Sequence, residues 1–278
     1  MREARYKAAM TDELNIAIAG CAGRMGQQLV KAALAAGHEI SGGSEVANSP
    51  KLGRDIGTLS GLEPLGKKAV SAIRSAANGA SVWIDFTVPV ATLEALARLP
   101  DAGVSSIVIG TTGFSDAQEQ AIAAAASTLS IVKAGNFSLG VNVLEALVKQ
   151  AAARLGTDWD IEVLETHHRH KVDAPSGTAL MLGHAAAAGR GSDLETLKSP
   201  PYDGPDAQRV AGEIGFSVRR TGGVIGDHEV TLGTEMEVLS LRHTALDRAV
   251  FAHGAIKAAE WVANQPPGLY DMSDVIGI

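Results

Sequence analysis

The chain of 278 residues contains a single cysteine, Cys21, so no intramolecular disulfide can brace it. That usage fits a reducing compartment, and the cytoplasm is the expected location. Aromatic residues make up only 4% of the sequence, against 46% hydrophobic residues in all. A composition this poor in aromatics and rich in alanine suits Ala-rich helices on Val/Ile strands better than an all-β fold. No uninterrupted apolar stretch reaches the roughly 20 residues of a membrane span. The opening residues 1–7 lack the apolar core of a secretory signal. Nor is there an excess of positive charge: the formal net charge is -7, which gives no global attraction to nucleic acid. These absences lead us to expect a soluble protein with neither nucleic-acid nor membrane partners, long enough for two structural units.

Against that acidic background five residues that can carry positive charge stand side by side, His167-His168-Arg169-His170-Lys171. Such crowding costs electrostatic energy unless a bound anion or an acid–base task offsets it. The segment continues Val172-Asp173-Ala174-Pro175-Ser176-Gly177-Thr178 into the helix-like Ala179-Leu180-Met181-Leu182. Small and hydroxyl-bearing residues beside a proline at a helix start leave backbone N–H groups open to an anion. Histidine can hold or release a proton at working pH, and a lysine crowded by other cations can also donate one. Spacing alone leaves open which of them does so. A solvated basic loop is a competing reading, as is a metal site built from His167, His168 and His170. Adjacent positions 167 and 168 point apart in an extended segment, and Arg169 and Lys171 repel a cation, so no metal is expected. An anion site with a proton donor uses every residue type present.

Residues 1–13 are polar and mixed in charge and read as a flexible leader. Residues 14–19 form a short apolar run ending in glycine, a buried strand by length and flank. The pattern then predicts a helix over 24–36, strands over 40–45 and 82–87, a helix over 89–99, a strand over 106–110, a helix over 115–127 and a strand over 129–132. Strands alternating with helices imply a parallel sheet with right-handed crossovers. After Asn136 the pattern changes to a helix over 139–154, a strand over 160–165, the basic segment, and a helix to about 188. An exposed excursion over 189–210 precedes three antiparallel-looking segments, 212–219, 228–233 and 235–242, then a helix over 246–263 and a short tail. The expected fold class is α/β, a Rossmann-like doubly wound sheet with a second, α+β unit.

Gly20-Cys21-Ala22-Gly23-Arg24-Met25-Gly26 lies between the first strand and first helix, where a Rossmann fold binds pyrophosphate. Its G-x-x-G-x-x-G spacing is a variant of the usual fingerprint, and a plain glycine turn has the same composition. The flanking strand and helix favour a dinucleotide site, as does Glu45 at the end of the second strand, placed to bind a ribose diol. Cys21 reads as a small packing residue. Phe86-Thr87, Gly110-Thr111-Thr112 and Ala134-Gly135-Asn136-Phe137 each follow a predicted strand and read as site lining, with ordinary turns as the alternative.

Taken together, the glycine loop, Asp85-Phe86-Thr87, Gly110-Thr111-Thr112-Gly113-Phe114, Asn136-Phe137-Ser138 and above all residues 167–179 closely resemble the 4-hydroxy-tetrahydrodipicolinate (dihydrodipicolinate) reductases of the diaminopimelate route to lysine. The likeness runs from about residue 14 to Tyr270-Asp271-Met272. It implies reduction of 4-hydroxy-tetrahydrodipicolinate to tetrahydrodipicolinate by NADH or NADPH, with loss of water. By resemblance His167 is the proton donor/acceptor and Lys171 a second donor, and His168, Gly177 and Thr178 bind the cyclic dicarboxylate substrate. Gly20, Cys21, Ala22, Gly23, Arg24, Met25, Glu45, Gly110, Thr111, Thr112, Ala134, Gly135, Asn136 and Phe137 match cofactor-binding positions. The resemblance also implies a dinucleotide domain over 14–137 plus 246–278, a substrate and oligomerisation domain over 138–245, and a homotetramer. One departure concerns the cofactor. Several family members carry arginine after the acid matching Glu45, whereas this chain has Val46, leaving Lys51 or Arg54 as substitutes. Another Rossmann oxidoreductase, such as an amino-acid dehydrogenase, stays open as an alternative. So does a nucleotide sensor without catalysis, which would need no proton donor.

Overall fold

The computed structural model describes residues 13–278, so the expected leader falls, apart from Glu13, outside the described residues. Two compact units emerge. One comprises residues up to Lys133 together with Ala255–Tyr270, the other Ala134–Gly254 with Asp271–Ile278.

The first unit alternates β1 (Asn15–Ala19), α1 (Arg24–Ala35), β2 (Glu39–Ser44), α2 (Ile56–Leu59), β3 (Ala69–Val70), α3 (Ile73–Ala76), β4 (Val82–Asp85), α4 (Pro89–Arg98), β5 (Ser106–Ile109), α5 (Asp116–Ala125) and β6 (Ser130–Lys133). β4 and β5 are buried at every position, the mark of parallel strands covered on both faces. A seventh strand, β11 (Gly268–Tyr270), pairs in parallel with β6. The sheet runs β11-β6-β5-β4-β1-β2-β3, and every pairing in it is parallel. Strand order reverses between β1 and β4, and ligands of doubly wound sheets bind outside the carboxyl ends at such a reversal. Trp83, Leu99, Ile107, Ile109, Ile122 and Leu129 anchor the core of this unit.

In the second unit come α6 (Leu139–Arg154), β7 (Asp160–His167), α7 (Gly177–Gly189), α8 (Leu194–Leu197), β8 (Ile214–Arg220), β9 (Gly226–Gly233) and β10 (Val238–Ala245). The helix α9 (Ala249–Val262) follows, and α10 (Met272–Ile276) closes the chain. Along β7, burial alternates residue by residue. Its inward side chains Ile161 and Val163 join Leu144, Val148, Leu182, Ile214 and Val230 in one core.

The structure corrects or completes several of the expected elements. The three late strands are not a simple antiparallel run: the order is β10-β9-β7-β8, with β8 parallel to β7. β7 lies between β8 and β9, so its backbone N–H and C=O groups are paired along both edges. The excursion over 189–210 contains α8, capped by Asp193, whose carboxylate accepts from Thr196 N at 2.7 Å. The short tail supplies β11 and α10. The division between the compact units falls inside α9, and residues 271–278 group with the second unit. Gly254 shows why: a Cβ there would stand 1.6 Å from Phe137 O, so this part of α9 packs on the chain entering α6.

Candidate active site

In the first unit the glycine loop turns directly from β1 into α1. Gly20 has φ +60°, a backbone region that favours glycine. A Cβ on Gly26 would lie 2.2 Å from Gly20 O, so only glycine lets the helix pack on the turn. α1 begins after Gly23 with no side-chain cap and no acid in its first turn. Its leading N–H groups and the positive end of its dipole thus suit a pyrophosphate. Thr87, beyond β4, meets Gly20 across the strand-order reversal: a Cβ on Gly20 would be 3.0 Å from Thr87 Cγ2. Lys51 Nζ donates to Ala22 O at 2.7 Å, as does Gln27 Nε2 at 2.9 Å. Of the two cations considered as substitutes for an arginine after Glu45, Lys51 therefore reaches the loop. Val46 itself is 65% exposed. Cys21 is fully buried, and burial together with Glu45 pushes its thiol up to about 12, which leaves it unreactive at neutral pH.

Beyond β4, the buried Asp85 organises the edge. Its Oδ1 accepts from Thr87 N at 3.0 Å, Thr87 Oγ1 at 2.5 Å and Thr111 Oγ1 at 3.2 Å. Burial raises its pKa against the opposing pull of these hydroxyls. Thr111 is itself buried and also bonded by Thr92. Its hydroxyl is thus committed inward, which leaves its backbone for any ligand, while Thr112 is exposed. A Cβ on Gly110 would strike the Phe86 ring at 2.0 Å.

The second unit holds the basic segment. His167 is the last residue of β7 and not part of a loop, and it is buried. Its Nδ1 lies 2.5 Å from Oε2 of Glu165, two residues earlier on the same strand face. Glu165 is 1% exposed and also receives Ser176 N at 3.0 Å and both terminal nitrogens of Arg220, at 2.7 and 2.8 Å. Burial alone would raise its pKa, but Arg220 and His167 outweigh that and hold it below the usual range. Ser176 caps α7 by accepting from Ala179 N, leaving the amides of Gly177 and Thr178 without a capping side chain. Its hydroxyl also pairs with His228 Nε2 at 3.1 Å. The His228 ring stands edge-on to His167 with centroids 5.0 Å apart. Burial, with His167 as the next cause, pushes the His228 pKa down to about 4, so it is neutral at pH 7.

Lys171 takes a different partner, Asp173, at 2.9 Å. Nδ1 of His168 is buried and has no hydrogen-bond partner among the described residues. Asn136 Nδ2 donates to Thr178 Oγ1 at 2.9 Å, which joins the 134–137 segment to the α7 start. Phe137 is buried and Gly135 exposed. Sequence reasoning missed Glu165, Arg220 and His228 as members of this cluster. Glu165 stands at i, i+2 from His167, a signal that counts only once β7 is known to continue through His167. Arg220 and His228 reach the cluster only through the pairing of β7 with β8 and β9.

The family model described as dihydrodipicolinate reductase, N-terminus, matches residues 14–137, and its C-terminus counterpart matches residues 140–276. A 4-hydroxy-tetrahydrodipicolinate reductase from Parvibaculum lavamentivorans is 51% identical over 97% of this chain and 100% of its own. Another from Caulobacter vibrioides is 47% identical over 96% of this chain and 99% of its own. Among solved structures, the dipicolinate-bound dihydrodipicolinate reductase from Paenisporosarcina sp. TG-14 superposes with a TM-score of 0.73. That pair shares 25% identity and covers 95% of this chain and 99% of the other. With both halves matched, and near-complete relatives this similar, the chain belongs to the dihydrodipicolinate reductase family.

Proposed function

We propose that this protein reduces 4-hydroxy-tetrahydrodipicolinate to tetrahydrodipicolinate, with NADH or NADPH as reductant, in the diaminopimelate route to lysine. The reaction consumes a hydride and a proton, and the 4-hydroxyl departs as water. The observation that carries the reading is the basic segment itself: a histidine with one ring nitrogen tied to a buried carboxylate stands beside a lysine and a helix start. The relatives' names support the substrate, and the dipicolinate in the Paenisporosarcina protein is a ligand of the same chemistry, a ring with two carboxylates.

The residues of the first unit fit a pyridine dinucleotide, which supplies the hydride when bound. The loop Gly20, Cys21, Ala22, Gly23, Arg24 and Met25 takes the pyrophosphate, and Glu45 takes the ribose hydroxyls. In the second unit, the amides of Gly177 and Thr178, with the His168 side chain, hold the substrate carboxylates, and Lys171 stands by as a second proton donor. His167 moves the proton through Nε2, because Nδ1 is engaged by Glu165. Orientation of the reactants supplies most of the rate advantage, and acid catalysis adds about 10²–10⁴-fold.

The deciding assay follows oxidation of the reduced nicotinamide with enzymatically generated substrate, beside a panel of amino and keto acids. Turnover confined to the amino-acid panel would replace this reading with the amino-acid dehydrogenase alternative.

A further inference from the structure

We infer that Glu165 is the positioning residue of the reaction: clamped by Arg220, it sets which nitrogen of His167 exchanges the proton. The inference rests on the proton-transfer role proposed for His167. Glu165 Oε1 receives Ser176 N and Arg220 Nη2, while Oε2 receives Arg220 Nη1 and faces His167 Nδ1. A two-pronged guanidinium fixes the plane of the carboxylate as well as neutralising it. Arg220 is in turn fixed by Asp173 O at 2.7 Å. Oε2 therefore cannot swing away from the imidazole.

A carboxylate oxygen at 2.5 Å from Nδ1 requires a proton between them. If His167 were neutral with its hydrogen on Nε2, two lone pairs would face each other in a buried site. The neutral ring thus carries Nδ1–H, and Nε2 is left to gain and give the transferable proton. The surroundings keep that nitrogen accessible. Gly226 at the start of β9 leaves room for it, since a Cβ there would come within 3.2 Å of Nε2. His228, the other histidine beside the ring, is neutral at pH 7 and brings no second positive charge to the imidazolium.

Two measurements on the full chain test this. In wild type, the ¹⁵N chemical shifts of the His167 ring, assigned by its loss in His167→Gln, should report Nδ1–H as the neutral tautomer. In Glu165→Gln the tautomers should become mixed and kcat should fall on the order of 10²-fold. The substrate KM should move by no more than about threefold, and NADH affinity measured by fluorescence without substrate should be unchanged. Glu165→Asp, which keeps the charge, should recover part of kcat. A neutral Nε2–H tautomer in wild type overturns the inference, as does a folded Glu165→Gln enzyme with normal kcat. Should Glu165→Gln fail to fold, the wild-type tautomer alone decides. The tautomer measurement does not depend on the substrate, so it separates an error about Glu165 from an error about the reaction.

Discussion

His167 and Lys171 sit four positions apart yet answer to different carboxylates, one buried in Glu165 and one exposed in Asp173. Replacing either by alanine is expected to lower kcat about 10²-fold or more while cofactor affinity holds. Near-normal turnover in both single variants would reduce the segment to anion binding. His228 gives a pH prediction of definite sign. Its folded pKa of about 4 lies below the ordinary histidine value of 6.5, so between these values the unfolded chain binds a proton that the folded one refuses. Stability contributed by neutral His228 is present above about pH 6.5 and is lost as the pH falls toward 4, by at most about 3 kcal/mol. His243, lowered by burial, adds in the same direction. Glu165, held low, acts only below about pH 4.5. Urea unfolding at about pH 7.5 and pH 5 should show this loss, and His228→Gln should flatten it even though that variant is less stable overall. An equal loss in the variant would assign the slope elsewhere.

At the scale of elements, the turn that follows β2, facing the β1–α1 loop through Lys51, carries the cofactor prediction. Glu45 accepts hydrogen bonds from a ribose diol and repels a 2′-phosphate, while exposed Val46 offers no guanidinium. NADH should be preferred, by tenfold or about 1 kcal/mol at most, because repulsion near a surface crevice is screened. Lys51, already at Ala22 O, is the cation expected to moderate the preference. Val46→Arg should raise NADPH affinity, and Lys51→Ala should lower it more than NADH affinity, both measured by titration without substrate. A strong NADPH preference in wild type, unmoved by either change, would show that another part of the chain reads the phosphate. Most elements were legible because they are long or cleanly patterned: α6 was expected over 139–154 and spans Leu139–Arg154. Others were not. β3 has two residues and β11 three, too few for any periodicity to register. β7 was expected to end at 165, because histidines 167 and 168 read as loop; the strand in fact continues to His167 and buries it. That extension places the imidazole on the face of Glu165, which is why the buried dyad was invisible while the basic cluster was plain.

For the molecule as a whole, the strand-rich part of the second unit is the proposed ground of oligomerisation. Val218, Met236, Val238 and Leu239 are exposed on β8, β10 and the turn between β9 and β10, where a monomer would leave apolar side chains in water. Light scattering should return a tetramer of the 28.6 kDa chain. A monodisperse, active monomer would refute this. The division into a parallel-sheet unit and a mixed one was readable from the change of pattern after Asn136. What could not be read was how the chain's end is shared, since that depends on contacts such as Gly254 with Phe137 rather than on any local pattern.

The place of β11 bears on how the protein is made. β6 ends at Lys133, but the strand that covers its outer edge is residues 268–270, so a ribosome must add about half the chain again before that edge finds its partner. Until then β6 offers unpaired N–H and C=O groups to any neighbouring nascent chain, a template for aggregation. Removing residues 268–278 should leave a protein that forms inclusion bodies at ordinary expression levels, even though every residue proposed to touch the substrate or the cofactor is still present.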